Sequence, residues 1–251
     1  MSVKDLISNL LFPPKCPNCN ELLNVDISKR LSDPLCPACR LHFENEKQRE
    51  CKICGLSIQF CRCMPHAMHK AQMLSLLKII SYRAQDENLP VRRFVYSIKH
   101  SNYQASFDFV AEQMRPLLIA EMREFKLMPS DCVITYLPRS KENKAKDGFD
   151  QSLKLAKALA RITGIEFVPC FKRRSIANEQ KKLNRYEREL NMRSAYAPLE
   201  VEEIIKDKTV ILVDDIVTTG ASMASCARLL TTMGAYASMG VCLGYTEKVK
   251  K

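Results

Sequence analysis

The sequence predicts an α/β protein in which a small cysteine-rich module precedes a parallel sheet flanked by helices. Eight of the 12 cysteines lie between Cys16 and Cys63. After Pro65, short apolar runs typical of buried strands alternate with stretches of helical periodicity. This alternation is typical of βαβ units, which build parallel sheets with helices on both faces. We therefore expect two domains, residues 1–65 and residues 66–251.

The N-terminal segment MSVKDLISNLLFPP carries an acidic residue, Asp5, and an apolar stretch too short for a signal peptide. It also lacks a small-residue cleavage site, so we interpret it as a short docking helix. No apolar run of the chain approaches the roughly 20 residues of a membrane helix. These observations predict a cytoplasmic protein without a membrane span.

The cysteines of the N-terminal module have the spacing of metal-binding knuckles. Three Cys-x-x-Cys pairs and one Cys-x-Cys pair occur, and each short spacer lets two thiolates bend onto one ion. So short a segment buries too little apolar surface to fold unaided, and a bound metal would supply the missing stability. Disulfides are not expected because the cytosol keeps thiols reduced. Redox-active pairs are the alternative, but redox enzymes use one such motif on a βαβ fold.

Eight thiolates can close two tetrahedral zinc sites, and zinc with four thiolates has no open position, which predicts a structural role. Pairing in chain order makes the first site regular and the second less so, because its last pair has a one-residue spacer. Interleaved pairing stays open, and so does the number of zinc ions, one or two. The candidate zinc ligands are Cys16, Cys19, Cys36, Cys39, Cys51, Cys54, Cys61 and Cys63.

The elements after Pro65 follow from apolar periodicity and from start and stop signals. FVYSIKH (94–100) fits a strand or a short helix, and FDFVAEQMRPLLIAEMREF (107–125) fits an amphipathic helix kinked near Pro116. DCVITYLP (131–138) predicts a strand and RSKENKAKDGFDQ (139–151) a polar loop. Asp150 would cap a helix that ends before Gly164. The predicted elements that follow are the strand KTVILV, the helix SMASCARLLTTM and the strand ASMGVCLGY.

The stretch VILVDDIVTTGAS (210–222) combines two carboxylates with a hydroxyl-rich turn between a strand and a helix. In parallel sheets such loops lie at the carboxyl ends of the strands, where ligands bind. The backbone N–H groups around Gly220, the nearby hydroxyls and the helix dipole would hold a phosphate. Asp214 and Asp215 would repel that phosphate, but they can accept hydrogen bonds from sugar hydroxyls. A ribose 5-phosphate fits both features, because its hydroxyls can donate to the carboxylates while its phosphate binds at the loop. No Gly-Lys-Ser/Thr follows, so this is not a Walker A loop.

VILVDDIVTTGAS resembles the 5-phosphoribosyl-1-pyrophosphate (PRPP) loop of type I phosphoribosyltransferases. With the cysteine module before it, the whole chain resembles the ComF/GntX family, which is linked to DNA uptake in natural transformation. The I-K-H element of that family matches residues 98–100. Its R-G-F-N-Q element corresponds to residues 147–151, with Asp147 and Asp150 where Arg and Asn are usual. Its Q-x-x-L-x-x-x-x-R-x-x-N element is matched by Gln180, Leu183, Arg188 and Asn191.

The resemblance implies a type I phosphoribosyltransferase-like sheet preceded by a zinc ribbon, and a site that binds PRPP with Mg²⁺. The residues implied to contact PRPP are Asp214, Asp215, Val217, Thr218, Thr219, Gly220, Ala221 and Ser222. The candidates for the pyrophosphate and Mg²⁺ side are Lys99, Pro138, Arg139 and Ser140. Residues 173–191 would form a flexible lid that closes over the reacting ligand, with an ordinary solvent-exposed helix as the alternative. The lid candidates are Gln180, Arg188 and Asn191.

The chain is basic, with a formal net charge of +11, and residues 139–193 hold 15 Lys or Arg against 7 Asp or Glu. Such an excess indicates either a solvated basic surface or a polyanionic partner. Together with the resemblance, it favours a competence-type protein that handles single-stranded DNA and carries a PRPP site. A competence helicase is then a further candidate partner. The aromatic candidates for base stacking are Tyr82, Tyr96, Tyr103 and Phe149.

The alternative function is a phosphoribosyltransferase of nucleotide metabolism or salvage. In that case displacement at the ribose C1 of PRPP would release pyrophosphate. The protein would accelerate this step by positioning the reactants and by stabilising the oxocarbenium-like centre and the departing charge. The sequence shows no acceptor-specific base pocket, so both catalysis and its acceptor stay open at this point.

Overall fold

The computed structural model describes residues 13–23, 33–82, 90–174 and 195–246. The docking helix predicted at the N-terminus and the lid candidates Gln180, Arg188 and Asn191 lie outside these ranges. The helices are α1 (Pro37–Lys47), α2 (His66–Lys70), α3 (Arg92–His100), α4 (Gln104–Glu124), α5 (Lys141–Asp147), α6 (Gln151–Thr163), α7 (Glu202–Ile205) and α8 (Ala221–Thr232). The strands are β1 (Leu76–Ser81), β2 (Cys132–Tyr136), β3 (Glu166–Phe167), β4 (Phe171–Arg173), β5 (Tyr196–Pro198), β6 (Thr209–Val217) and β7 (Ala237–Tyr245).

Five strands form one parallel sheet in the order β1-β7-β6-β2-β3. The two longest strands, β6 and β7, lie side by side and are buried along most of their length. Their continuous apolar runs are what a parallel strand needs when helices cover both faces. The predicted parallel sheet flanked by helices is confirmed. A separate antiparallel pair, β4 and β5, stands apart from the sheet.

Helix α6 begins and ends where the sequence predicted. The side chain of Asp150 accepts a hydrogen bond from the backbone N–H of Leu153 at 3.3 Å, which satisfies one free donor of the first turn. Gly164 ends the helix in the left-handed region, at φ 72°. The FVYSIKH segment is a helix, α3, and buries Phe94, Val95 and Ile98.

The prediction of a polar loop over residues 139–151 is wrong for residues 141–147, which form helix α5. Its Lys, Glu and Ala residues favour helix, but the segment has no apolar stripe, which is the signal that periodicity detects. The amide of Lys144 donates to the carbonyl of Ser140 at 3.0 Å and starts the turn. Gly148, at φ 75°, ends it.

The cysteine-rich segment shares a hydrophobic core with the sheet and its helices. Phe43 of α1 packs edge-on against Phe94 of α3 and Phe109 of α4, with ring centroids 5.8 and 5.1 Å away. Phe94 and Phe109 also meet edge-on at 5.6 Å. Edge-to-face pairs of this kind add to the stabilisation from burial alone. Within the residues that the structure describes, no helix is both long and apolar enough to span a membrane.

Candidate functional site

A cavity of about 160 Å³ opens at the carboxyl ends of β2 and β6. This is the edge of a parallel sheet at which ligands bind. It brings together the acidic doublet, the loop after β2, the first turn of α6 and the β4–β5 pair. The lining residues are Leu137, Pro138, Arg139, Ser140, Gln151, Ser152, Arg173, Tyr196, Asp214 and Asp215.

The acidic doublet is held by the first turn of α6. The Ser152 hydroxyl donates to Asp214 Oδ1 at 2.8 Å, and the same oxygen accepts the backbone N–H of Asp215 at 3.0 Å. The Gln151 amide donates to Asp215 Oδ2 at 3.2 Å, and Asp215 is almost fully buried. These donors fix the orientation of both carboxylates and leave further lone pairs to face the cavity.

Burial raises the pKa of Asp214 well above its ordinary value, and the neighbouring charge of Asp215 raises it further. The hydrogen bond from Ser152 acts in the opposite direction but is the weaker effect. Asp214 therefore holds a proton more readily than an isolated carboxyl group does.

The loop between β6 and α8 is suited to an anion. Thr218, Thr219, Ala221 and Ser222 are exposed, whereas Val217 is buried and fixes the base of the loop. Helix α8 begins at Ala221, so its dipole and its first free N–H groups point into this loop. The Thr219 hydroxyl accepts the Ala221 N–H only weakly, at 3.4 Å. These donors are available to a phosphate.

Gly220 is required for a reason that the sequence did not reveal. Its φ is +69°, and a Cβ there would lie 2.8 Å from Met68 Cγ and 2.9 Å from Pro65 Cβ. The space behind the loop is therefore filled by the segment that leads into α2. A larger residue at this position would move the loop itself.

The loop after β2 is held by the two residues that depart from the family pattern. Arg139 Nη1 lies 2.7 Å from Asp147 Oδ2, and His100 Nδ1 lies 2.9 Å from Asp147 Oδ1. The hydrogen bond with His100, followed by that with Arg139, lowers the pKa of Asp147 despite its burial. Asp150 accepts the Arg139 N–H at 3.1 Å and pairs with Lys144 at 3.0 Å. Arg139 thus reaches the cavity with its charge already paired.

Of the four pyrophosphate-side candidates, Pro138, Arg139 and Ser140 line the cavity. Lys99 is not among the lining residues. Its ammonium lies 5.6 Å from the centre of the Tyr82 ring.

Two cavity residues of the β4–β5 pair were not among the predicted site residues: Tyr196, and Arg173, which the sequence placed at the start of the lid segment. Arg173 Nη1 donates to the Tyr196 hydroxyl at 2.7 Å, and its guanidinium lies over that ring. Burial raises the pKa of Tyr196, while a hydrogen bond with Ser222 lowers it. Tyr196 therefore joins a cavity-lining arginine to the first turn of α8. The two strands lie on either side of residues 175–194, so no local pattern could have shown this contact.

Residues 150–248 match a family model, the phosphoribosyl transferase domain. The match includes the first turn of α6, the acidic doublet and the loop before α8. The predicted fold class is confirmed: the sheet is phosphoribosyltransferase-like and follows a cysteine-rich region that is compatible with a zinc ribbon. A comparison with curated proteins finds no match.

Solved structures resemble the chain at low sequence identity. The allosteric regulatory enzyme of purine biosynthesis is 15% identical with a TM-score of 0.41, over 59% of this chain and 30% of that one. Purine phosphoribosyltransferase from Pyrococcus horikoshii is 17% identical with a TM-score of 0.30, over 56% and 79%. TT1426 from Thermus thermophilus is 15% identical with a TM-score of 0.32, over 61% and 88%.

In front of this phosphoribosyl transferase-like domain, the eight N-terminal cysteines fall into two groups in chain order. Within each group the four sulfur atoms lie within 4.8 Å of one another. The first group is Cys16, Cys19, Cys36 and Cys39, and the second is Cys51, Cys54, Cys61 and Cys63.

Both groups fit a tetrahedral zinc ion. Zinc–sulfur bonds of about 2.3 Å place the four sulfurs roughly 3.8 Å apart. The Sγ atoms of Cys19 and Cys36 are 3.6 Å apart, and those of Cys54 and Cys61 are 3.5 Å apart. In the second group, the backbone N–H of Cys63 also points at Cys61 Sγ, at 3.4 Å. Each group can therefore hold one structural ion.

The proposed stacking residues differ in their exposure. Tyr82 and Phe149 of the phosphoribosyl transferase-like domain are buried. Tyr96 on α3 is 61% exposed and lies against the His100 ring at a centroid distance of 4.2 Å. Tyr103 is partly buried. Tyr96 is the candidate whose ring is open to a base.

Proposed function

We propose that the chain binds PRPP at the cavity between β6 and α6, as a phosphoribosyltransferase-type site. The observation that carries this is the pairing of a fixed acidic doublet with a loop suited to an anion, which follows β6 a few residues further along the chain. Asp214 and Asp215 accept the ribose hydroxyls, and the loop from Val217 to Ser222 holds the 5-phosphate.

In this proposal the pyrophosphate of PRPP faces the loop of Pro138, Arg139 and Ser140, which also lines the cavity. Mg²⁺ bound with PRPP would neutralise pyrophosphate charge, and the carboxylates of Asp214 and Asp215 in the cavity could supply oxygen ligands for it. Arg173 offers a further cation at the same cavity. If transfer occurs, these residues position the ribose and stabilise the departing pyrophosphate, which are the main sources of rate in such a displacement.

At a finer level, we propose a ComF-like role in which the protein handles single-stranded DNA during natural transformation in the cytoplasm. The net charge of +11, the exposed Tyr96 and the two cysteine groups ahead of the phosphoribosyl transferase-like domain support it. A competence helicase is the proposed protein partner. The second candidate is a phosphoribosyltransferase of nucleotide metabolism or salvage, which the match over residues 150–248 also supports.

The two candidates are separated by titrating one zinc-loaded preparation with PRPP and Mg²⁺, and then with a single-stranded oligonucleotide. Binding of PRPP alone, with pyrophosphate release when a nucleobase is added, favours the metabolic enzyme. Binding of both ligands without release favours the DNA-handling role. A protein that binds neither PRPP nor ribose 5-phosphate contradicts the assignment of the cavity.

A further inference from the structure

The second cysteine group lies next in sequence to the segment that packs behind the phosphate loop. Only Met64 separates Cys63 from Pro65, and α2 begins at His66. Pro65 and Met68 fill the space where a Cβ on Gly220 would lie. The Met68 methyl also lies 3.3 Å from where a Cβ on Gly240 of β7 would be. Met68 thus occupies a niche between two glycines, one in the loop and one in the central sheet.

Lys78 makes a second connection from this group to the same loop. It lies on β1 with 1% of its surface exposed, although lysine is rarely so buried without a partner. Its ammonium donates to the backbone carbonyl of Cys63 and lies 4.7 Å from the centre of the Tyr245 ring. Tyr245 pairs in register with Val217, the residue at the base of the loop.

No carboxylate among the described residues forms an ion pair with Lys78. Four thiolates around one divalent ion carry an excess of two negative charges. A metal-bound second group would therefore supply the negative charge that the Lys78 ammonium otherwise lacks nearby. The attraction would be strong because the ammonium is shielded from water. A filled second group would therefore hold Lys78, and with it the Cys63–Met68 segment, in place.

We propose that the second cysteine group positions the phosphate loop through Met68 and Lys78, so that metal bound there and a phosphate ester bound at the loop strengthen each other's binding. This inference rests on the proposed function, since it takes the loop as the site of the ester. Met68 and Lys78 are positioning residues. Coupling between two sites is reciprocal, which makes it measurable from the metal side.

The first test measures the zinc affinity of the wild-type chain by chelator competition, with and without saturating ribose 5-phosphate. Alkylation of the released thiols, followed by mass spectrometry, tells the two cysteine groups apart. We expect the ester to raise the zinc affinity of the second group on the order of fivefold and to leave the first group unchanged. Equal effects on both groups, or none on the second, would overturn the inference.

The second test uses matched variants. Met68→Ala and Met114→Ala each shorten a fully buried methionine, but Met114 lies on α4, away from the loop. We expect the effect of the ester on zinc affinity to fall below about twofold in Met68→Ala and to persist in Met114→Ala. Lys78→Met should weaken zinc at the second group alone, whereas Lys47→Met, at a lysine paired with Glu44, should not. Full coupling in Met68→Ala would overturn the inference.

A ligand-free measurement separates this inference from the proposed function. After zinc is removed from the second group, amide hydrogen exchange at residues 217–222 should rise, while that at residues 152–160 of α6 stays as it was. Unchanged exchange in the loop would overturn the inference. If the wild-type chain binds neither PRPP nor ribose 5-phosphate, the proposed function fails, and the exchange result alone decides the inference.

Discussion

Ser152, in the first turn of α6, donates a 2.8 Å hydrogen bond to Asp214 at the end of β6. The bond ties the acidic doublet to a helix whose own start is fixed by Asp150. The orientation of both carboxylates is therefore set before any ligand arrives, which reduces the entropy that a bound ribose would lose.

The double variant Asp214→Ala, Asp215→Ala should lose PRPP and ribose 5-phosphate binding but still bind inorganic phosphate. Each charge-assisted hydrogen bond contributes about 1.5–3 kcal/mol, so the affinity for PRPP should fall at least roughly tenfold. Phosphate itself should bind as well or better, because two repelling groups are gone. Calorimetry with the three ligands checks this. Unchanged PRPP binding would show that the doublet is structural.

Asp214→Asn should stabilise the protein at neutral pH. The pKa of Asp214 is raised in the folded state, so the folded protein holds this proton more tightly than the unfolded chain does. Stability then falls as pH rises from the ordinary carboxyl pKa through the raised one. Asparagine keeps an acceptor for Ser152 and removes that loss, so we expect the free energy of unfolding at pH 7 to rise.

The check is denaturant unfolding of wild type and Asp214→Asn across a pH series. The difference between them should shrink towards pH 4. Asp108→Asn, at a half-exposed carboxylate on α4, is the control. A variant that is less stable than wild type at every pH would contradict the prediction.

Gly220→Ala should cost more stability than Gly164→Ala. Both glycines have positive φ, 69° and 72°, but a Cβ on Gly164 meets nothing within 4 Å, whereas one on Gly220 meets Met68 and Pro65. The strain of the left-handed backbone is common to both, so the difference measures the crowding, about 1–3 kcal/mol. Phosphate binding should weaken only in Gly220→Ala. An equal loss of unfolding free energy in the two variants would mean that Met68 and Pro65 can move aside without cost.

Metal analysis should find about two zinc ions per chain, one for each cysteine group. Cys54→Ala, which removes an exposed thiol of the second group, should lower the content to about one. Cys132→Ala, at a buried thiol of β2, should leave it unchanged. A metal-free protein with an intact N-terminal region would contradict the zinc prediction.

If the basic residues bind single-stranded DNA through phosphates, affinity should fall linearly with salt on a log–log plot, with a slope of about −0.7 per neutralised phosphate. Base sequence should matter little. Tyr96→Ala should weaken binding by about 1–3 kcal/mol if this exposed ring stacks on a base, whereas Tyr236→Ala, at another exposed tyrosine, should not. Binding that is insensitive to salt would count against the DNA-handling role.

Local signals in the sequence were sufficient for the parts of the fold that form within a few residues. The cap at Asp150 and the stop at Gly164 depend on backbone positions three or four residues away, and both were predictable. Helix α5 was missed because it is short and polar on all sides, so its stability does not come from a buried stripe.

The parts of the cavity that the sequence missed depend on contacts between distant segments. Arg173 and Tyr196 meet only because β4 pairs with β5, and Met68 reaches Gly220 only through the folded chain. Lys99 was placed on the pyrophosphate side from a motif match and stays a prediction, with its ammonium 5.6 Å from the centre of the Tyr82 ring. The roles of the PRPP residues and of the lid stay predictions.

The ring contacts of Phe43 with Phe94 and Phe109 bear on how the protein can be divided. A chain truncated to residues 66–251 keeps the whole parallel sheet, yet it uncovers two phenylalanine faces that water would then wet. We expect such a fragment to self-associate or aggregate in solution through this exposed apolar surface. Conversely, an isolated N-terminal peptide keeps all eight candidate zinc ligands, but it lacks the surface against which Phe43 packs. We therefore expect that cutting the chain between residues 65 and 66 would not give two independently soluble proteins.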